Sequence, residues 1–209
     1  TPIVFNAVKR PAPNELAAGP GLTGIISVST HRKTLDLALQ LHPDTDRVFI
    51  ISGTLEHDKR FEIQAREELE GYESRVRIDY LTDLPLNELI ERTKGLPKHS
   101  IVLYAWQQTL NEEGIVLESR DTLARISPSA SVPFYGMGMG GIGYGLVGGY
   151  VAGPDSNGTR LAEIVLRIMD GEHPQDIPVE AAPSGPQFDW GQLRRWGILE
   201  KDLPLGSTI

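Results

Sequence analysis

The amino-acid sequence predicts an α/β protein with a doubly wound parallel sheet. Three observations lead there. Short, almost wholly apolar runs such as "RVFIIS" and "SIVLYAW" read as strands buried on both faces. Between them lie stretches with apolar residues at helical spacing and charges elsewhere. The two kinds alternate in strict turn, the pattern of a parallel sheet whose crossovers are helices.

The chain opens on "PIVF", a strand pattern with no turn signal before it. It reads either as part of a longer protein or as a short edge strand. A loop rich in Pro, Gly and Ala occupies residues 11–21. Strands are then predicted over 24–29, 47–52, 75–81, 100–106 and 132–135, and helices over 31–41, 57–71, 86–95 and 118–126. In the first helix Leu35, Leu37, Ala38 and Leu41 form one stripe, which ends before Pro43. The second carries Phe61, Ile63, Ala65 and Leu69, with Gly71 as its stop. Leu86, Leu89 and Ile90 give the third an apolar face that ends at Gly95. After Tyr135 comes a glycine-rich segment, then a helix reaching about Met169 with Asp155 or Ser156 as cap. Asp189 is placed to cap a short helix in the tail.

Composition narrows the function classes. In 209 residues, 40% hydrophobic and 23% charged residues are ordinary for a folded domain. With 20 basic against 28 acidic residues the net charge is -8, which repels nucleic acid and anionic lipid, so no nucleic-acid partner is expected. The cysteine count of 0 excludes disulfides, a thiol nucleophile and Cys-ligated metal. No apolar run approaches the ~20 residues of a membrane span, so the sequence reads as a soluble chain.

The stretch "FYGMGMGGIGYGLVGGY" holds Gly138-x-Gly140-x-x-Gly143, the spacing of a dinucleotide-binding loop. Such a loop must open a helix that receives the pyrophosphate. Here "GLVGGYVAGP" follows, which is strand-like and ends in Gly-Pro. The glycines therefore read as a close-packed or flexible crossover, and no cofactor is expected. His31, His42, His57, His99 and His173 are scattered, and Glu56, His57 and Asp58 are adjacent on a helix and point apart, so no metal site is expected. A Gly-x-Ser-x-Gly nucleophile elbow is missing. What gathers at the predicted strand ends is small, polar and aromatic: Ser29 and Thr30, Ser52 to Thr54, Tyr80 and Thr82, Trp106 to Gln108, and Tyr135 with Gly136. In open α/β sheets ligands bind at that end, and these groups suit binding rather than turnover. Each also reads as core packing or a helix cap.

The order of these pieces resembles type I periplasmic binding proteins, specifically the ABC-transporter substrate-binding-protein family. It is most similar to the branch found as sensory ectodomains of bacterial histidine kinases. The resemblance is carried by "TLDLALQLHPDTDRVFIISG", "HDKRFEIQAREEL", "YLTDLPLNELIERTKGLPKHSIVLY", "VPFYGMGMGGIGYGLVGGYV", "RLAEIVLRIMDGEHPQDIPVE" and "FDWGQLRRWGI". It implies a Rossmann-like lobe with remnants of a second. Residues 1–22 would close the first lobe and cross over, 23–135 would form the second lobe, and 136–209 would hold the return crossover, a helix and a C-terminal segment. Most of the first lobe would lie outside this chain, so a complete cleft needs another copy, as in a homodimer, or further chain.

Carried over residue by residue, the resemblance implies ligand contacts from Thr30, Ser52, Gly53, Asp58, Trp106, Gln107, Tyr135 and Gly136. Asp58 would accept hydrogen bonds from a ligand hydroxyl or amine, or else be an exposed helix-start charge. The implied function is a non-enzymatic periplasmic sensor domain whose lobes close on a small polar ligand and signal to a membrane kinase module or an ABC permease. "MGMGGIGYG" stands where many relatives carry acidic or polar residues, which leaves sugar, amino acid and aromatic acid open as ligand. Two alternatives are a small α/β hydrolase or transferase using Asp58, Tyr80 and His31 at the strand ends, and a cytoplasmic nucleotide-responsive regulator.

Overall fold

Every residue of "RVFIIS" after Arg47 is buried, as a strand with helices on both faces requires. The computed structural model describes residues 1–9, 21–110, 114–136, 139–152 and 154–209, without the side chains of residues 7–9, 57, 106, 110, 139 and 154–156. In chain order the elements are strands β1 (Ile3–Lys9) and β2 (Leu22–Ser27), helix α1 (His31–Leu41), β3 (Arg47–Ser52), α2 (Glu56–Glu68), β4 (Arg77–Thr82), α3 (Leu86–Lys94) and β5 (Ser100–Trp106). There follow the two-residue strands β6 (Thr109–Leu110) and β7 (Val116–Leu117), α4 (Ser119–Ile126), β8 (Phe134–Gly136), β9 (Gly148–Ala152), α5 (Pro154–Met169), β10 (Glu180–Ala181), β11 (Ser184–Phe188) and α6 (Trp190–Trp196). The chain divides into two compact units, Thr1–Ser29 with Ala152–Ser184, and Thr30–Val151 with Gly185–Ile209.

The larger unit holds a six-stranded sheet in the order β11-β9-β8-β5-β3-β4. β3 pairs in parallel with β4 and β5, and β8 in parallel with β5 and β9. Side-chain alternation sorts the strands between two cores. Val48 and Ile50 of β3, Ile101 and Leu103 of β5 and Tyr135 of β8 pack with Leu35 and Ala38 of α1, Ala65 of α2, Leu69 just after it, and Leu193 of α6. Phe49, Ile51, Val102, Tyr104 and Phe134 point the other way, onto Leu86 and Leu89 of α3 and Leu123 and Ile126 of α4. The sheet is doubly wound, as the unbroken apolar runs predict.

The smaller unit is a three-stranded parallel sheet, order β1-β2-β10. Ile25 of β2, Ile164 of α5 and Ile177 form its buried core, with Val4, Leu161 and Ile168 against it. Thr23 Oγ1 donates to Ile177 O at 2.9 Å, and Arg160 of α5 grips both carboxylate oxygens of Glu180 at 2.6 Å. Among the described residues no helix is long and apolar enough to cross a membrane.

Two expectations about strands are corrected. The sequence suggests that residues 24–29 belong with the strands that follow, yet β2 pairs with β1 and β10. A strand buried on both faces carries no side-chain alternation to specify its neighbour. The glycine segment, expected to lead out of one sheet into another, instead returns as β9 to the sheet that contains β8. Gly149 permits this: a Cβ there would collide with Gly136 O and lie 3.1 Å from Thr34 Cγ2. Element boundaries also move slightly. The second helix ends at Glu68, after which Gly71 turns the chain at φ 93° into the short 3-10 turn Tyr72–Ser74. Asp189 does cap α6, its carboxylate accepting from Gln192 N at 2.7 Å.

Candidate functional site

In the larger unit the carboxyl ends of β3 and β5 are tied together by one carboxylate. Ser52 ends β3, and its hydroxyl donates to Asp58 O at 2.9 Å. Asp58 is the third residue of α2, and its Oδ2 accepts from Leu55 N at 3.4 Å and from Gln108 N at 3.1 Å. A carboxylate in the first helical turn, turned back on the preceding backbone, has the geometry of a capping box and lies in the favourable field of the helix N-terminus. Asp58 is 0% exposed. This corrects the reading of an exposed helix-start charge. Gly53 fits beneath the carboxylate because it has no side chain: a Cβ there would collide with Asp58 Oδ2 and come within 2.7 Å of Gln108 O.

Thr30 precedes α1. Its hydroxyl donates to Tyr150 O at 2.6 Å, while Tyr150 N donates to Thr34 Oγ1 at 3.1 Å, so two threonines clasp β9 to the first turn of α1. Tyr135 lies in the core, with its hydroxyl 2.8 Å from His42 Nε2 at the C-terminal end of α1. Burial pushes its phenol well above the ordinary range. The two rings meet edge-on at 5.7 Å. The hydroxyls of Thr30, Ser52 and Tyr135 are thus all spent within the protein. The side chain of Trp106 lies outside the described residues.

Gln107 follows β5. Its N–H donates to Ser119 Oγ at 3.2 Å, and its carbonyl lies 3.3 Å from Tyr104 Oη. Its side-chain amide is fully buried and finds no hydrogen-bond partner among the described residues. Beside these groups a cavity of about 260 Å³ opens between the end of β5, the start of α4 and the glycine segment. Tyr104, Ser119, Leu123, Gly140, Gly141 and Leu146 line it, with Ala105 in the wall and Glu118 and Arg120 at the first turn of α4. Tyr104 Oη donates to Ser119 O at 2.7 Å and accepts from Ser119 Oγ at 3.2 Å. Burial raises this phenol far above its ordinary range, so it remains protonated. Gly136 borders the cavity wall: a Cβ there would lie 2.9 Å from Leu146 Cδ1 and from Tyr104 O.

Among the described lining residues, the charged ones are at the α4 start. Glu118 Oε2 accepts from Gln108 Nε2 at 3.3 Å, and the Arg120 guanidinium lies 3.7 Å from Asp121 and 5.9 Å from the Tyr144 ring centre. The first N–H groups of a helix have no intrahelical acceptor, and a ligand oxygen can take that place. The chemistry available is an apolar chamber with hydrogen-bond donors and both signs of charge at one end.

The structure thus gathers Ser52, Gly53 and Asp58 into one knot through Gln108, and puts Gln107 and Gly136 beside the cavity. Thr30 and Tyr135 enter other contacts. Sequence reasoning missed Tyr104, Ser119, Arg120, Leu123 and Leu146. The rule that ligands bind at strand ends pointed to the end of β5, but nothing in the sequence said that the start of α4 closes over it. The three residues of the enzyme alternative meet different partners. His31 Nδ1 lies 3.6 Å from Glu68, Tyr80 lies under the Arg66 guanidinium at 3.5 Å, and Asp58 holds the knot. In the dinucleotide-loop stretch, Met139–Gly141 is a single 3-10 turn and β9 is the next regular element, so no helix N-terminus follows.

Comparison with known proteins bears on the fold. No protein-family model matches the chain, and no curated protein matches it significantly. Among solved structures, the chain is similar to the ligand-free, open form of a substrate binding protein with adhesive properties from Clostridium difficile. The TM-score is 0.73 at 16% identity, over 100% of this chain and 70% of that one. The fold is type I periplasmic-binding-protein-like. An ABC domain in complex with L-Trp from Streptococcus pneumonia gives 0.65 at 14% identity, over 100% and 72% of the two chains. A conserved domain protein from Vibrio cholerae gives 0.64 at 17% identity, over 100% and 71%.

Proposed function

We propose that this chain is a binding domain that takes an amino acid or related apolar acid into the cavity at the end of β5 and the start of α4. The observation that carries this reading is the cavity's make-up. Leu123, Leu146, Ala105 and glycine backbone supply an apolar chamber, and Glu118, Ser119 and Arg120 supply polar groups at one end. Small-molecule pockets are built in that way, mostly apolar with a few placed polar groups. A polyol such as a sugar would leave hydroxyls unpaired against the leucines. The fold likeness supports binding in general, since one similar structure is a substrate binding protein and another holds L-Trp.

The finer role we assign is periplasmic recognition whose outcome passes to a membrane kinase module or an ABC permease. The resemblance of the strand and helix order to sensory ectodomains supports that assignment. Ligand-driven signalling of this kind requires that the ligand favour one conformational state over another.

The test is a melting screen of L-amino acids, aromatic acids, sugars and nucleotides, followed by a ¹⁵N amide titration with the best binder. A ligand at 100 times its Kd adds about 2.7 kcal/mol, which raises the midpoint by roughly 5–10 °C for a chain of this size. The amides of Ser119, Arg120, Gly140 and Gly141 are expected to shift. No binder in the screen, or shifts confined to other parts of the chain, would overturn the assignment.

A further inference from the structure

The cavity's walls differ in how much they can yield. Tyr104 is pinned through its hydroxyl to Ser119 O at 2.7 Å and is 5% exposed. Leu123 and Leu146 are fully buried members of the core between the sheet and α3 and α4. Gly141 backs directly onto them: a Cβ there would collide with Leu146 Cδ1 and lie 3.1 Å from Leu123 Cδ2. None of these walls can retreat without repacking a dense core. Gly140 is different. It lines the same cavity, is exposed, has no left-handed φ, and a Cβ built on it meets no heavy atom of the described residues within 4 Å. A side chain at 140 would therefore extend into open space at the edge of the cavity rather than against the described core.

The volume makes that room scarce. About 260 Å³ lies just below the ~300–1,000 Å³ typical of ligand pockets. We propose that Gly140 is the position that sets the largest ligand this cavity accepts, the missing side chain admitting a bulky apolar group at the mouth. The proposal rests on the binding function given above and adds a specificity determinant to it.

The test uses the 209-residue chain and its Gly140→Ala and Gly140→Val variants, with L-alanine, L-leucine and L-tryptophan as probes in calorimetric titrations. The quantity read is the Kd for the largest probe that the wild type binds, divided by the Kd for L-alanine. It is expected to rise by about tenfold or more from wild type to Gly140→Val, the scale at which a pocket senses a methylene or two, with Gly140→Ala between. The ligand-free melting midpoints of the variants should stay within a few degrees of wild type. A ratio that does not change, or equal weakening of every probe, overturns the size limit while leaving ligand binding intact. A large fall in the ligand-free midpoint overturns the premise of open space at 140. If the wild type binds none of the probes, the binding function itself fails, and the size limit with it.

Discussion

Asp58→Ala tests whether the buried carboxylate is a structural tie or a ligand contact. The substitution removes the acceptor for Gln108 N at 3.1 Å, a hydrogen bond to a charged group worth about 1.5–3 kcal/mol. The contact from Leu55 N at 3.4 Å is at the limit of hydrogen-bond length and adds little. Loss of a negative charge in the first turn of α2 costs a further ~0.3–1 kcal/mol, or up to ~2 where the site is partly buried. Ser52 keeps its bond, because it reaches the Asp58 carbonyl and not the carboxylate. The sum is about 2–5 kcal/mol, which at roughly 2–4 °C per kcal/mol places the fall in midpoint near 10 °C. Differential scanning calorimetry of the ligand-free protein measures it, with urea unfolding as a check on ΔG. Asp58→Asn retains one acceptor oxygen and should recover part of the loss. A fall of less than 2 °C in Asp58→Ala, together with a lost ligand-induced shift, would refute the structural reading and make Asp58 a ligand group.

Two further outcomes follow from contacts remote from the cavity. Burial lowers the pKa of His42 below a histidine's usual 6.5, an effect Asp44 partly offsets. The folded state therefore favours neutral His42, and the unfolded chain takes up the proton first as pH falls. Its contribution is complete above about pH 6.5 and is lost on acidification below that. Midpoints measured from pH 8 to 5 should fall more for wild type than for His42→Asn, and parallel curves would remove His42 from the account. Asp44, held below its ordinary carboxylate range by its hydrogen bond to His99, acts at lower pH and does not confuse the comparison. Arg195 of α6 donates to Ser127 O, Pro128 O and Ala130 O at 2.9, 3.1 and 3.1 Å, closing the end of α4. Arg195→Ala should cost about 1–2 kcal/mol in urea unfolding. Arg195→Lys should restore only part of it, because a single ammonium nitrogen lacks the two spaced donor nitrogens with which the guanidinium spans these carbonyls; full rescue would show that charge alone matters there.

Particular residues show how much of this was legible in advance. The run Val48 to Ile51 announced a strand buried on both faces, and the two cores it feeds are those the alternation demands. Asp189 announced a cap and is one. Asp58 showed the opposite limit: a carboxylate at a helix start reads the same whether it faces water or Gln108 N, because its partner is 50 residues away. Tyr135 read as a strand-end aromatic open to a ligand. Its hydroxyl is turned instead to His42, 93 residues away.

The sequence by itself determined the class of fold, the order and approximate extent of its strands and helices, and the region near the strand ends where polar residues collect. Those features are local, governed by spacing over a few residues and by burial of one face or two. Only the tertiary structure decided that β2 pairs with β1, that β9 returns beside β8, and that the start of α4 meets Tyr104 and the glycine backbone around a cavity. Each of these depends on which distant surfaces come together. An apolar strand or a glycine is compatible with several partners, and the packing of the whole chain selects one.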